Sequence, residues 1–303
     1  MKDDERDDRP IGSGLTRREF FGHLGKAGGA ILLGGAARGA LAGYMEHGEM
    51  TYWDSGIFHH DAVDSSEEAS GIVRALLEGS WRDYTTIELP SEFLDWNIEA
   101  RLDMLRNLSS LVSGEGGAPP SLAGPHNAAM ATCGGGRRDS VMKINNAFKG
   151  MGLCPHRDRI SELMDHMTST ASAPMPEKLQ FLVDLYSDRS SFDLTKLVSL
   201  ELYSTTDFET HTFLNLMAHP ETSLVFLDSK SYEIRGIGEL IHPGDQTASR
   251  YLRDVVSYTN IAHSYFHGEF PRLFPGIVVH VCEVFDNSPG TGRGVRLAPA
   301  GTG

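Results

Sequence analysis

Three groups of side chains in this sequence have types and spacings that could support chemistry. His263 and His267 stand four apart in the stretch His-Ser-Tyr-Phe-His, which puts both imidazoles on one face if the stretch is helical. Such a pair can ligate a metal or a haem iron. No glutamate follows the first histidine, so this is not the H-E-x-x-H pattern of zinc proteases, and structural or surface histidines are the plainer reading. Residues 44–61 hold His47, His59 and His60 among Glu46, Glu49, Asp54 and Asp61. Imidazole with carboxylate suits zinc or copper, but adjacent His59-His60 is no defined ligand spacing, and an exposed chain terminus explains the same composition. Cys133, Cys154 and Cys282 are odd in number, so at most one internal disulfide can form. Cys154-Pro155-His156 with Cys133 matches no standard zinc spacing, while Cys133 and Cys282 fall in strand-like stretches where cysteine serves as a small buried hydrophobe. The sequence has no C-x-x-C-H, which argues against covalent c-type haem, and no G-x-S-x-G or Walker A motif. Arg235-Gly236-Ile237-Gly238 stops before the third glycine of a dinucleotide-binding loop.

The elements that would position these groups follow from periodicity. Residues 210–240, THTFLNLMAHPETSLVFLDSKSYEIRGIGEL, parse as a short helix, a break and two strands. Phe213, Leu214, Leu216 and Met217 share a helical face, and Pro220 ends the helix because it lacks an N–H and restricts His219. Residues 222–227 read as a strand buried on both faces, and residues 232–240 as its half-exposed antiparallel partner across a polar turn. Gly236 and Gly238 inside that strand mark a bend or a ligand lying against backbone. Upstream, Asp64 and Glu67 resemble a capping box opening a helix over 67–78. Pro90-Ser91 opens a longer helix with a stripe of Phe93, Leu94, Ile98, Leu102, Leu105, Leu108 and Leu111. Residues 114–120 are a linker by composition, and residues 126–148 read as strand, glycine turn, strand. A helix is expected over 157–167, strands over 178–186 and 197–203, a helix over 247–266 and a last strand over 276–285. The glycine-rich tail, 290–303, reads as mobile.

The run "F-L-N-L-x-x-H-P-E-T-S-L-V-F-L-D…Y-E-I-R-G-I-G-E-L" is similar to the middle of the pyridoxamine 5′-phosphate oxidase-like, flavin-binding split-barrel family, in which a helix written roughly "N-L-x-x-N-P" leads into a core strand and a strand ending "R-x-x-G-x-A-E". The stretch "A-T-C-G-G-G-R-R-D" resembles the family's opening hairpin, with Arg138 where proline is common. The resemblance implies an α+β fold, a split antiparallel β-barrel over 119–303 preceded by an N-terminal helical accessory segment over 43–118. It also implies a homodimer and an oxidoreductase built on FMN. The family holds the flavin phosphate at the start of the central helix and on the first hairpin. The matching positions here are Thr210, His211 and Thr212, with Lys143 on the second strand. A helix start is itself an anion site, with free N–H groups at the positive end of the dipole, and threonine hydroxyls and a protonated His211 would add to it. The family's Arg-Lys is absent from these positions, so a deazaflavin, a haem or no cofactor stand as alternatives, and Thr210 can instead be a plain helix cap. A non-enzymatic haem or metal binder is the competing function.

The N-terminus carries an address. Leu15-Thr16-Arg17-Arg18-Glu19-Phe20-Phe21 matches a twin-arginine export signal, followed by a short apolar run over 27–37 and an Ala40-Leu41-Ala42 cleavage site. That run is too short to cross a bilayer core of roughly 30 Å. The expected protein is therefore a substrate of the twin-arginine machinery, with leader 1–42 removed, no stable membrane anchor, and a periplasmic or extracellular destination. The chain of 303 residues is 40% hydrophobic and 22% charged, with a net charge of −14. That profile is globular and argues against a broad nucleic-acid-binding surface.

Overall fold

The computed structural model describes residues 52–117, 121, 123–134, 139–270, 272–290 and 293–299, together with the paired segments Pro10–Ile11 and Leu15–Thr16. The remainder of the leader, with Arg17 and Arg18, lies outside the described residues, as do His47 and residues 135–138 of the glycine turn.

The first part of the chain is β-structure. Strands β1 (Trp53–Asp54) and β2 (Ile57–Phe58) form a small hairpin. Strands β3 (Val63–Asp64), β4 (Ile72–Leu77) and β5 (Ser80–Thr85) form a three-stranded sheet. The helix expected over 67–78 is not formed. A single 3₁₀ turn, Glu68–Ser70, ends at Gly71 in the left-handed region. Val73, Ala75 and Leu77 then bury alternate positions, the period of a strand and not of a helix. The carboxylate of Asp64, expected as a cap, accepts instead from the N–H of Ser66 at 3.1 Å. Glu78 and Gly79, both at positive φ, make the two-residue turn that joins β4 to β5. Helix α1 (Ser91–Val112) follows as expected from its apolar stripe, with Phe93, Leu94, Ile98 and Leu105 buried.

The central sheet contains β6 (Asn127–Cys133), β7 (Ile144–Gly150), β8 (Gly152–Pro155), β9 (Phe192–Leu200), β10 (Glu221–Leu227), β11 (Ser231–Ile241), β12 (Gly276–Asp286) and β13 (Val295–Ala298). Its order is β8-β9-β12-β11-β10-β6-β7, antiparallel throughout, with β13 also on β12. The two outer members, β7 and β8, are one continuous stretch of chain interrupted only at Met151. The sheet therefore rolls round until its opposite edges meet in a single bent strand, and the ladder breaks at that bend. This is a split β-barrel, so the α+β antiparallel class expected from the sequence holds. Arg101 of α1, almost fully buried, pins the bend by donating from Nη2 to the carbonyls of Pro125 (2.6 Å) and Met151 (2.9 Å).

Helices α2 (Ile160–Ser169) and α3 (Met175–Ser187) fill the connection from β8 to β9. A strand was expected within α3, over 178–186. Pro174 and Pro176 open a helix there, with Glu177 in its first turn, and Leu179, Phe181, Leu182, Leu185 and Tyr186 pack at helical spacing. Helix α4 (His211–Ala218) and helix α5 (Arg250–His267) match the expected elements. The tail read as mobile contributes β13 to the sheet.

Hairpin β1–β2, helix α1 and the barrel share one hydrophobic core. Polar bonds fasten the N-terminal sheet to the barrel's outer face. Glu68 pairs with Lys196 at 2.9 Å and also with Arg157, and Ser65 donates at 2.9 Å to Glu239, which is held within the barrel by His280 at 2.8 Å. Both glycines of β11 serve close approach. A Cβ at Gly236 would lie 2.0 Å from the carbonyl oxygen of His280, and one at Gly238 would lie 2.8 Å from Cδ2 of Leu216. Their neighbours are thus strand β12 and helix α4. Gly236 also sits at a register shift in the β11–β12 ladder, which is the bend expected of it.

Candidate functional site

The site is built around the start of α4. Thr210 is extended and caps the helix, its Oγ1 accepting from the N–H of Phe213 at 3.1 Å. Its own N–H donates to Ser204 Oγ, which contacts the buried carboxylate of Glu201. Glu201 in turn accepts from Lys149 of β7 at 2.6 Å. This chain of bonds ties the start of the helix to both β9 and β7.

A second set ties it to the hairpin. Asn145 of β7 donates from Nδ2 to Thr212 Oγ1 at 3.0 Å, and Asn215 Nδ2 reaches the carbonyl of Lys143 at 3.4 Å. The four residues expected from the sequence, Lys143, Thr210, His211 and Thr212, are consequently gathered at one end of the barrel. They are not equivalent there. Thr212 is buried with its hydroxyl already engaged by Asn145. His211 lies 3.1 Å from the carboxylate of Asp139. Lys143 is exposed. Among the described residues no partner is found for the N–H of His211 or Thr212, as is usual in a first helical turn.

Side chains that sequence reasoning missed form an aromatic wall beside this helix start. Trp53 stacks on Phe213 with centroids 5.6 Å apart and planes 14° apart, Phe58 meets Phe213 edge-on at 5.0 Å, and Tyr52 lies 6.1 Å from the same ring. Such pairs contribute about 0.5–1.5 kcal/mol each beyond their area. Burial and the charge of Glu209 hold the Tyr52 phenol above its ordinary pKa, so Tyr52 stands close to the residue preceding Thr210. His242 meets both Trp53 and Phe58 edge-on. It accepts from the N–H of Gly244 on Nδ1, and burial lowers its pKa, so Nε2 carries the proton of a neutral ring. Arg272 lies near His242 and donates to the carbonyls of Leu202 and Ser204.

Residues 52–61 are therefore not the exposed terminus expected of them. Phe58 is fully buried, and His60 is buried in the core, donating from Nε2 to the carbonyl of Leu216 and accepting from the N–H of Leu240. His59 instead pairs with Asp245 at 2.8 Å. The only sequence sign of this packing was the cluster Tyr52, Trp53 and Phe58, whose partner Phe213 lies far along the chain.

The remaining candidates are dispersed. Among the described residues, no group of three or more His, Cys, Asp or Glu side chains is placed to hold a metal ion. The three cysteines are free thiols. Burial pushes Cys154 up to about 12 and Cys282 up to about 11, so neither is a thiolate at neutral pH. His263 and His267 lie together near the end of α5, as their spacing implied, with ring centroids 4.7 Å apart. Among the described residues no helix is long and apolar enough to cross a membrane.

No family model matches the chain, and no curated protein matches it. Among solved structures, the chain is similar to HupZ of Group A Streptococcus, known in a tagged form from a 1.70 Å crystal structure, at 14% identity and a TM-score of 0.31 over 58% of this chain and 90% of that one. At that level the likeness bears on no residue of the site.

Proposed function

We propose that this protein is an exported, FMN-binding split-barrel protein that acts as an oxidoreductase, with the flavin phosphate held where α4 meets β7. The observation that carries this reading is the hydrogen bond from Asn145 to Thr212, which joins two segments 67 residues apart and, with the bond from Asn215 to the carbonyl of Lys143, brings Lys143 alongside α4.

The donor set fits a phosphate in type. The N–H groups of His211 and Thr212 lie at the positive end of the helix dipole. The Thr210 hydroxyl keeps its proton available while its oxygen caps the helix, and Lys143 supplies a mobile cation. Asp139 opposes binding by occupying His211 and by repelling a phosphate. Tyr52 and Trp53 offer an apolar surface next to these donors. A bound flavin would supply hydride or electron transfer, while the protein would anchor the phosphate, orient the ring and limit access of water. The leader motif with Arg17 and Arg18 supports export, since twin-arginine substrates cross already folded and a cofactor protein is folded around its ligand beforehand.

The test is a comparison of FMN with riboflavin, which lacks the phosphate, on the apoprotein and on Thr210→Ala and Lys143→Met. Loss of a hydrogen bond to a charged group costs roughly 1.5–3 kcal/mol, which is about tenfold to more than a hundredfold in affinity. Each variant is expected to weaken FMN by that order and to leave riboflavin nearly unchanged. Equal losses for both ligands would remove the phosphate from this site.

A further inference from the structure

The last two turns of α5 carry a second feature, apart from the α4 site. His263 and His267 project from one helical face, as residues four apart must, and their rings lie 4.7 Å apart at 45°. The ring of Phe270, beyond the end of the helix, stacks on His263 at 4.7 Å and 28°, and Phe274 meets His263 edge-on at 6.3 Å. Asn260 fixes this returning segment by bonding both the N–H and the carbonyl of Phe274. The pair is thus held in a half-buried, aromatic-walled corner.

Nε2 of His263 is buried there, with no hydrogen-bond partner among the described residues. An unsatisfied buried nitrogen is costly, and native structures rarely leave one without a function or a bound group. A further fact favours a cation as that group: His267 is the final residue of α5, where the helix dipole presents its negative end.

We propose that His263 and His267 bind a divalent ion of the late first transition row, zinc or copper in preference to magnesium or calcium, because the ligands are imidazoles. Two histidines four apart on a helix are the same chelating unit that zinc proteases use. With two protein ligands the other positions of the ion fall to water. His126 lies near both histidines and accepts from Arg101 on Nδ1 at 3.1 Å. That bond keeps the proton on its Nε2, so His126 is not counted as a ligand.

The experiment is a calorimetric titration of the full-length, untagged protein with Zn²⁺ alone, alongside His263→Gln and His267→Gln. One equivalent is expected to bind to the wild type, with affinity reduced at least tenfold in each variant. Absence of binding to folded wild type, or the same equivalent bound unchanged by the variants, would overturn the proposal. His263→Gln disturbs the packing with Phe270 and risks the fold. Should it fail a circular-dichroism check, His267→Gln, at the end of the helix, decides the matter by itself.

Discussion

At the scale of single residues, the α4 site is a contest between donors and one carboxylate. Asp139 sits 3.1 Å from His211, so its replacement by asparagine removes a repulsive charge and releases an imidazole. A single unit charge near a solvated surface is worth about 1 kcal/mol, so Asp139→Asn should raise FMN affinity about fivefold and leave riboflavin unaffected, as a flavin-fluorescence titration would read. Buried His60 makes a different prediction. Burial lowers its pKa from 6.5, so as pH falls below 6.5 the unfolded chain takes up a proton that the folded one refuses. Its stabilising contribution is whole above 6.5 and is lost as pH falls below that value. Denaturant midpoints between pH 7 and pH 5 should fall with acidity, and His60→Gln should flatten that slope. An unchanged slope would assign the acid sensitivity elsewhere. Asp193 acts lower still. Burial alone would raise its pKa, but Lys196 and its hydrogen bonds hold it at about 2, against an ordinary 3.8, so its contribution is lost only between those values. Resemblance to a family singled out Lys143, Thr210, His211 and Thr212, and the fold gathers them around the start of α4. Asn145, Tyr52 and Trp53 were not legible, because their significance depends on partners far along the chain.

At the scale of elements, β11 shows why two glycines of one strand are not interchangeable. Gly236→Ala forces a Cβ against a backbone oxygen at 2.0 Å, while Gly238→Ala meets the flexible end of Leu216 at 2.8 Å. Overpacking costs about 1–3 kcal/mol, and the backbone clash should stand at about 3 kcal/mol with the side-chain clash nearer 1. Chemical denaturation of the two variants checks this, and equal costs would contradict the packing described. Helices α1, α4 and α5 were readable because their apolar spacing matches a single period, whereas strands β10 and β11 were placed correctly but with their burial reversed. Strand β10, expected to be buried on both faces, alternates buried and more exposed positions. Strand β11, expected to be half-exposed, is buried along nearly its whole length because β12 and helix α4 lie close against Gly236 and Gly238. The segment at β4 was misread because residues 67–78 contain enough apolar positions for either period. Gly71 and the Glu78-Gly79 turn decide in favour of a strand. In α3 the apolar run suits both readings until Pro174 and Pro176 are taken as a helix start, a signal that outweighs the run itself.

At the scale of the whole molecule, a bent strand at Met151 turns an open sheet into a barrel, and an N-terminal sheet is clamped to its outer face by Glu68, Lys196 and Arg157. The split-barrel class was legible because the β10–β11 pair resembles a known barrel core, whereas the β-rich N-terminal sheet has no such local signature. Export belongs to this scale too. Arg17→Lys with Arg18→Lys keeps the charge but loses the planar guanidinium pair that the twin-arginine receptor reads, and the double variant should accumulate uncleaved in the cytoplasm on fractionation. The central claim, that this barrel is built around a flavin phosphate, is tested most directly by the absorbance of the purified, folded protein before and after addition of one equivalent of FMN. The account predicts flavin absorption bands that stay with the protein through gel filtration, at one flavin per chain. A well-folded protein that retains no FMN, or one that arrives with a Soret band in its place, would contradict it.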